Sequence, residues 1–253
     1  MKTAKDSNED YHASPGISAS GLKMIYKESV KKYLTRKQVE TKAMAFGTAV
    51  HSAILEPDQF QCEYLVLPKI DRRTTEGKAE YDSYMKISKK KTLLSSEDYS
   101  VINEISKNLK KNKLAQYYLK GQTEVSHYGK HNDVDVRVRP DVINKHKDFI
   151  ADIKTCRNNS PINFSYDVKK YAYHLQAAFY MDMLKINHFR FITVETTYPY
   201  NVEVYALSKE KIQEGRLAWQ QAFRDYQMYL ETGVKTSYNW HTYANDGSYL
   251  IWK

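Results

Sequence analysis

The chain holds two cysteines, Cys62 and Cys156, in 253 residues. That is too few for a disulfide framework or for an iron–sulfur cluster held by four thiolates, and it fits a reducing compartment. No apolar run approaches the roughly 18–20 residues that cross a bilayer. The opening MKTAKDSNEDYHASPG is charged and polar where a secretory leader would be apolar. The expectation is a soluble protein with no membrane partner. There is no Walker A loop, Gly-rich dinucleotide turn or nucleophile elbow, which argues against ATP hydrolysis by the chain itself. No internal repeat and no Pro/Gly/Ser-rich linker divides it, so one domain over residues 1–253 is expected.

What is present is basic and aromatic. Lys and Arg outnumber Asp and Glu by 39 to 30, a net charge of +9. This favours a polyanionic partner, although a solvated lysine face gives the same balance. The 22 tyrosines suit stacking on bases or bonding to phosphates, and half-buried packing explains them equally well.

Along the chain, residues 1–15 read as loosely structured. Ser18 or Ser20 is placed to cap a helix with Leu22, Ile25 and Tyr26 on its apolar face. AMAFGTAVHSAIL (43–55) predicts a second helix, stopped before Pro57. Residues 65–93 are strongly charged and read as a loop leading into an exposed helix. Ser95 or Ser96 then starts a helix with Tyr99, Ile102, Ile105 and Leu109 on one face. From residue 122 the period changes to that of strands: TEVSHYG, VDVRVRPDVI and DFIADIKT. Residues 167–184 predict one helix, FRFITVETT and VEVYALS two strands, and residues 209–231 a final amphipathic helix, with the aromatic tail HTYANDGSYLIWK docked on the body. The order predicts an α/β (α+β) fold, a central mixed sheet flanked by helices. Within it, residues 1–120 form a mainly helical part, 121–210 the sheet core and 211–253 the last helix and tail.

The chemistry concentrates in Arg139-Pro140-Asp141 and Asp152-Ile153-Lys154. Pro140 interrupts a ladder, so Asp141 sits at an irregular strand end. Asp152 and Lys154, two apart in a strand, project from one face. An isolated D-x-K triplet is most simply a surface ion pair. With a second acid it becomes a set that could hold Mg²⁺ through Asp141, Asp152 and the Ile153 carbonyl, with Lys154 orienting or deprotonating water. Gln176 and Tyr180, four apart on a helix, share a face.

AFGTAVH, RPD, DIKT and QAAFY, in this order, resemble the motifs of the PDDEXK nuclease superfamily, and its RecB/lambda-exonuclease branch in particular. YHASPGISASGLK, FGTAVHSAILEP and DRRTTEGK are similar to the RecE-type (exonuclease VIII) domain of phages and prophages. The resemblance implies a restriction-endonuclease-like core with N-terminal helical additions. It makes His51 a metal-site histidine beside Asp141 and Asp152, although a histidine on an apolar helix face is otherwise a bonded core residue. Asp141, Asp152 and Lys154 become the catalytic core, with Gln176 and Tyr180 supporting DNA and the lysine. Glu124 joins as a further acidic candidate. Arg72, Arg73 and Arg139 become DNA contacts, although a solvated loop explains the first two as well.

The activity implied is a Mg²⁺-dependent double-stranded DNA exonuclease, with two ions per site and Mn²⁺ able to substitute. It would run 5′→3′ from DNA ends and leave 3′ single-stranded tails for a single-strand annealing protein in recombination and repair. By the same resemblance it would form a homo-oligomeric ring, a tetramer or else a trimer, in the cytoplasm of a bacterial or phage-infected cell. The alternatives are a structure-specific or restriction-type endonuclease on the same core, or a DNA-binding recombination scaffold whose site has decayed.

Overall fold

A computed structural model describes residues 1–37, 41–88 and 91–238. The chain opens with β1 (Lys2–Ala4) and three helices, α1 (Asn8–Ala13), α2 (Ala19–Lys27) and α3 (Val30–Thr35). Helices α4 (Lys42–Leu55) and α5 (Pro57–Glu63) lead into β2 (Tyr64–Leu67), α6 (Thr75–Ile87) and β3 (Thr92–Ser95). Then come α7 (Ser96–Lys111), α8 (Lys113–Tyr118) and five strands: β4 (Gln122–Thr123), β5 (Ser126–His131), β6 (Val134–Val138), β7 (Val142–Asn144) and β8 (Phe149–Cys156). The rest is α9 (Pro161–Lys170), α10 (Tyr173–Leu184), β9 (His188–Glu195), β10 (Val202–Tyr205) and α11 (Lys209–Thr232).

The central sheet has five strands in the order β10-β9-β8-β7-β4, parallel only between β8 and β9. Alternation along β8 explains how its faces are used. Ile150 faces one core, shared with Leu22, Phe164, Phe179 and Trp219. Phe149, Ala151 and Ile153 face a second, shared with Val50, Ile105 and Ala115. Helices α2, α9, α10 and α11 therefore cover one face, and α4, α7 and α8 the other. This is the expected mixed α/β arrangement, in which a strand buried on both sides reads as a nearly continuous apolar run. Among the described residues no helix is long and apolar enough to cross a membrane.

Several local expectations need correction. Residues 1–15 are ordered: β1 pairs antiparallel with β5, and α1 is capped by Ser7 and buries Tyr11. In the 65–93 stretch the expected loop and exposed helix are present, as residues 68–74 and α6, but they are flanked by two unexpected strands, β2 and β3, that pair in parallel. Their YLVL and TLLS runs are too short to alternate visibly beside so much charge. Tyr99 is exposed, whereas Ile102, Ile105 and Leu109 are buried as expected. The helix expected over 167–184 breaks at Ala172, which adopts a left-handed φ of 50° and starts α10 on a new axis. Alanine seldom occupies that region, so the sequence carries no flag. The tail from residue 241 onward lies outside the described residues.

Close approach of two helices sets where α10 sits. A Cβ at Gly215 on α11 would lie 2.1 Å from the His174 carbonyl oxygen on α10. Gly215→Ala is expected to lower stability by about 1–3 kcal/mol through overpacking, as read by urea denaturation; an unchanged midpoint would show that the two helices can separate freely.

Candidate functional site

Residues 122–131 and 134–144 form one antiparallel hairpin whose pairing lapses midway. Thr123 pairs with Val142 and His127 with Val138, in the same register on both sides of the gap. Inside it Glu124 has a left-handed φ of 51° and Pro140 has no N–H to offer. The ribbon bends there and passes from the three-stranded sheet (β1-β5-β6) into the central one. Each of two expected strands, TEVSHYG and VDVRVRPDVI, is thereby divided between two sheets. One backbone bond spans the bend, from the Glu124 N–H to the Asp141 carbonyl at 3.1 Å.

The central strand β8 runs on past the end of β7. Val142 pairs with Ala151, so Asp141 and Asp152 stand opposite each other where the ladder stops. The Ile153 N–H, which β7 no longer satisfies, donates to Asp141 Oδ2 at 2.6 Å. The Ile153 carbonyl shares that edge, because both polar groups of a strand residue point the same way. Asp152 and Lys154 project from the face under α10. Lys154 Nζ lies 2.5 Å from Asp152 Oδ2, and Gln176 Nε2 donates to Asp152 Oδ1 at 2.5 Å. One turn along α10, the Tyr180 hydroxyl donates to the Arg139 carbonyl at 3.3 Å. From the opposite wall, on α4, His51 Nδ1 reaches within 3.5 Å of Asp141 Oδ2.

Donor atoms of His51, Glu124 and Asp141 all lie within 4.8 Å of one another. They open on a cleft of about 600 Å³ that also reaches Lys23, Arg139, Gln176 and Tyr180. Burial raises the Asp141 carboxyl above its usual range, and the neighbouring Asp152 adds to it. Glu124 is pushed up to about 8 by burial first and Asp141 second. Burial alone would lower Lys154, but Asp152, Tyr173 and Asp141 together outweigh it, so the ammonium form is favoured. Two carboxyls whose ionisation is disfavoured, converging with an imidazole, make a donor set that a divalent cation would relieve.

The expected residues fall into three groups. His51, Glu124, Asp141, Asp152, Ile153, Lys154, Gln176 and Tyr180 are brought together. Asp152, however, lies outside the converging donor triad, its oxygens directed at Lys154 and Gln176. Arg139 lines the cleft, but its guanidinium pairs with Glu124 at 3.1 Å, bonds Asn8 at 2.5 Å and stacks on the Tyr11 ring, which makes it a tie for the N-terminal segment. Arg72 and Arg73 stand apart from the cleft in the turn before α6: Arg73 forks onto Asp71 at 2.9 and 2.8 Å, and Arg72 lies over the Tyr81 ring.

Lys23 is a member that sequence reasoning missed. Its ammonium donates to Gln176 Oε1 at 3.0 Å, and burial, then Lys154, pulls its pKa down to about 7. Its one signal was its place beside Leu22 on the Ser18-capped helix, next to the buried stripe.

A mixed sheet between helices, with paired acids and a strand lysine where one strand outruns its neighbour, defines a PDDEXK-type α/β fold. The family described as PDDEXK-like domain of unknown function (DUF3799) matches residues 18–241, and the chain belongs to it. A solved structure of a candidate exonuclease from Eubacterium rectale is similar over 92% of this chain and 90% of its own, with TM-score 0.63 and 15% identity. A phage related exonuclease from Haemophilus somnus 129PT covers 89% of this chain and 100% of its own at 12% identity, but its TM-score of 0.33 carries no weight here. No curated protein matches the chain.

The Glu124 shift has a sign that can be checked. Its folded pKa of about 8 lies above the ordinary 4.5, so its contribution to stability is complete below 4.5 and is lost as pH rises through about 8. In metal-free protein the denaturation midpoint should fall further between pH 5 and 8.5 for the native chain than for Glu124→Gln. Parallel pH profiles would show that the carboxyl is not strained.

Proposed function

We propose that this chain is a divalent-metal-dependent nuclease that hydrolyses duplex DNA from its ends, 5′→3′. The observation that carries the reading is the convergence of His51, Glu124 and Asp141 on one cleft, with the buried Asp152–Lys154 pair behind them on the strand opposite Asp141. His51, Glu124 and Asp141 would hold the ion, with the Ile153 carbonyl and Asp152 at the adjoining edge. Oxygen donors suit Mg²⁺, and the imidazole makes Mn²⁺ a ready substitute. When bound, such an ion polarises the phosphodiester and lowers the pKa of a coordinated water.

The remaining work belongs to side chains. Lys154, held as an ammonium by Asp152, donates to the attacking water or to a phosphate oxygen; a role in removing the proton does not suit it. Gln176 fixes Asp152 from the other side. Tyr180 holds the Arg139 backbone, and with it the bend that presents Asp141. Uncatalysed phosphodiester hydrolysis is slow enough that positioned charge must supply well over ~15 kcal/mol, which a lysine–aspartate pair alone does not reach. The net charge of +9 suits a polyanionic substrate. End polarity, a ring-shaped homo-oligomer and an annealing partner rest on the sequence resemblance.

Lys154→Ala should lower cleavage by at least about 10²-fold while duplex binding is largely kept, and excess EDTA should stop the native enzyme. The mechanism is falsified if either preparation still releases nucleotides at the native rate. With duplexes labelled at either end and Mg²⁺ present, loss should begin at 5′ ends, and covalently closed circular DNA should survive where its linear form is consumed. Cleavage of the closed circle would replace the exonuclease reading with an endonuclease.

A further inference from the structure

Lys23 stands inside the site without a task in the reaction as described. Helix α2 buries Ala19, Leu22 and Ile25 in the core it shares with α10 and α11, and this seats the neighbouring Lys23 against α10. The result is a continuous polar chain. The Lys23 ammonium donates to Gln176 Oε1 at 3.0 Å, Gln176 Nε2 donates to Asp152 Oδ1 at 2.5 Å, and Lys154 Nζ lies 2.5 Å from Asp152 Oδ2. Both ammonium groups also flank one ring, that of Tyr173, at 5.5 and 4.8 Å from its centroid.

A glutamine amide has a donor end and an acceptor end that differ little in shape. A carboxylate can only accept, which turns the amide N–H toward Asp152, and the Lys23 amino group, able to donate whether or not it carries its extra proton, holds the amide oxygen at the other end. Asp152 alone would leave the amide free to swing about its single contact. With Lys23 in place both ends are held, and the aspartate oxygen facing Gln176 is held with them.

We propose that Lys23 is a positioning residue, which locks the Gln176 amide and through it sets the Asp152 carboxylate against Lys154. This rests on the nuclease reading for its kinetic consequence, but not for the coupling itself.

Two measurements separate these. In the first, kcat and KM for linear duplex are compared for the native chain, Lys23→Met, Gln176→Ala and the double variant. Lys23→Met should lower kcat about 10- to 100-fold, the usual effect of losing a partner that orients a site carboxylate. KM should stay near native, and adding Lys23→Met to Gln176→Ala should cause little further loss. Multiplicative losses in the double variant, or a rise in KM with native kcat, would overturn the proposal and make Lys23 a direct DNA contact.

The second measurement needs no turnover. The Gln176 side-chain amide is followed by ¹H–¹⁵N NMR in metal-free protein. In native protein its hydrogen-bonded proton should be shifted downfield and slow to exchange, and in Lys23→Met it should return toward the free-amide position and exchange faster. An unchanged signal would refute the lock even if the enzyme is active. If native protein fails to cut DNA while the signal still responds, the nuclease reading fails and the lock stands.

Discussion

A strand that outruns its neighbour inside a protein must find another partner for its backbone, and here that partner is a carboxylate. The central ladder stops at Val142 and Ala151, since Pro140 cannot donate and the ribbon has already bent away. Leaving the Ile153 N–H unpaired in a buried position would cost about 1–3 kcal/mol. Asp141 accepts it instead, and that bond determines much of what surrounds it. It fixes one acid directly opposite another, at the edge of a sheet whose two faces are both roofed by helices. His51 approaches from α4, and Gln176 and Tyr180 approach from α10.

The electrostatic consequence is a cluster of acids that resist ionisation, ringed by cations. Burial raises both Asp141 and Glu124, helped by Asp152 beside the first and by Asp141 beside the second, while Lys154, Arg139 and Lys23 sit around them, each held by a specific bond. Such an arrangement is a poor way to stabilise a fold and a good way to await a divalent cation and a phosphodiester, which agrees with the tendency of perturbed groups to gather at functional sites. Arg139 shows how closely fold and site are interwoven. Its guanidinium ties Glu124 to the N-terminal segment, and its carbonyl is held by Tyr180.

Much of the fold was legible wherever periodicity was long. α4, α7, α11, β8, β9 and β10 lie close to where spacing put them, because a buried face demands an apolar stripe. The misses share a cause. β1, β2 and β3 are short and take their place through distant partners. The bend that divides both strands of the hairpin between two sheets depends on what lies across the gap, although Pro140 marks one side of it. The break at Ala172 is imposed by packing, where the local sequence favours continuing the helix.

For the site, the sequence by itself determined the chemical cast and its order: acid, acid-x-lysine in a strand, then glutamine and tyrosine one helical turn apart. Those relations are local, set by strand and helix repeats, so they survive without knowledge of the fold. Only the tertiary structure decided which groups meet. It put His51 and Glu124 with Asp141, turned Asp152 toward Lys154 and Gln176, brought in Lys23, and left Arg72 and Arg73 outside. Such encounters, between residues as far as 153 positions apart for Lys23 and Gln176, are set by sheet register and helix packing, which no local spacing encodes.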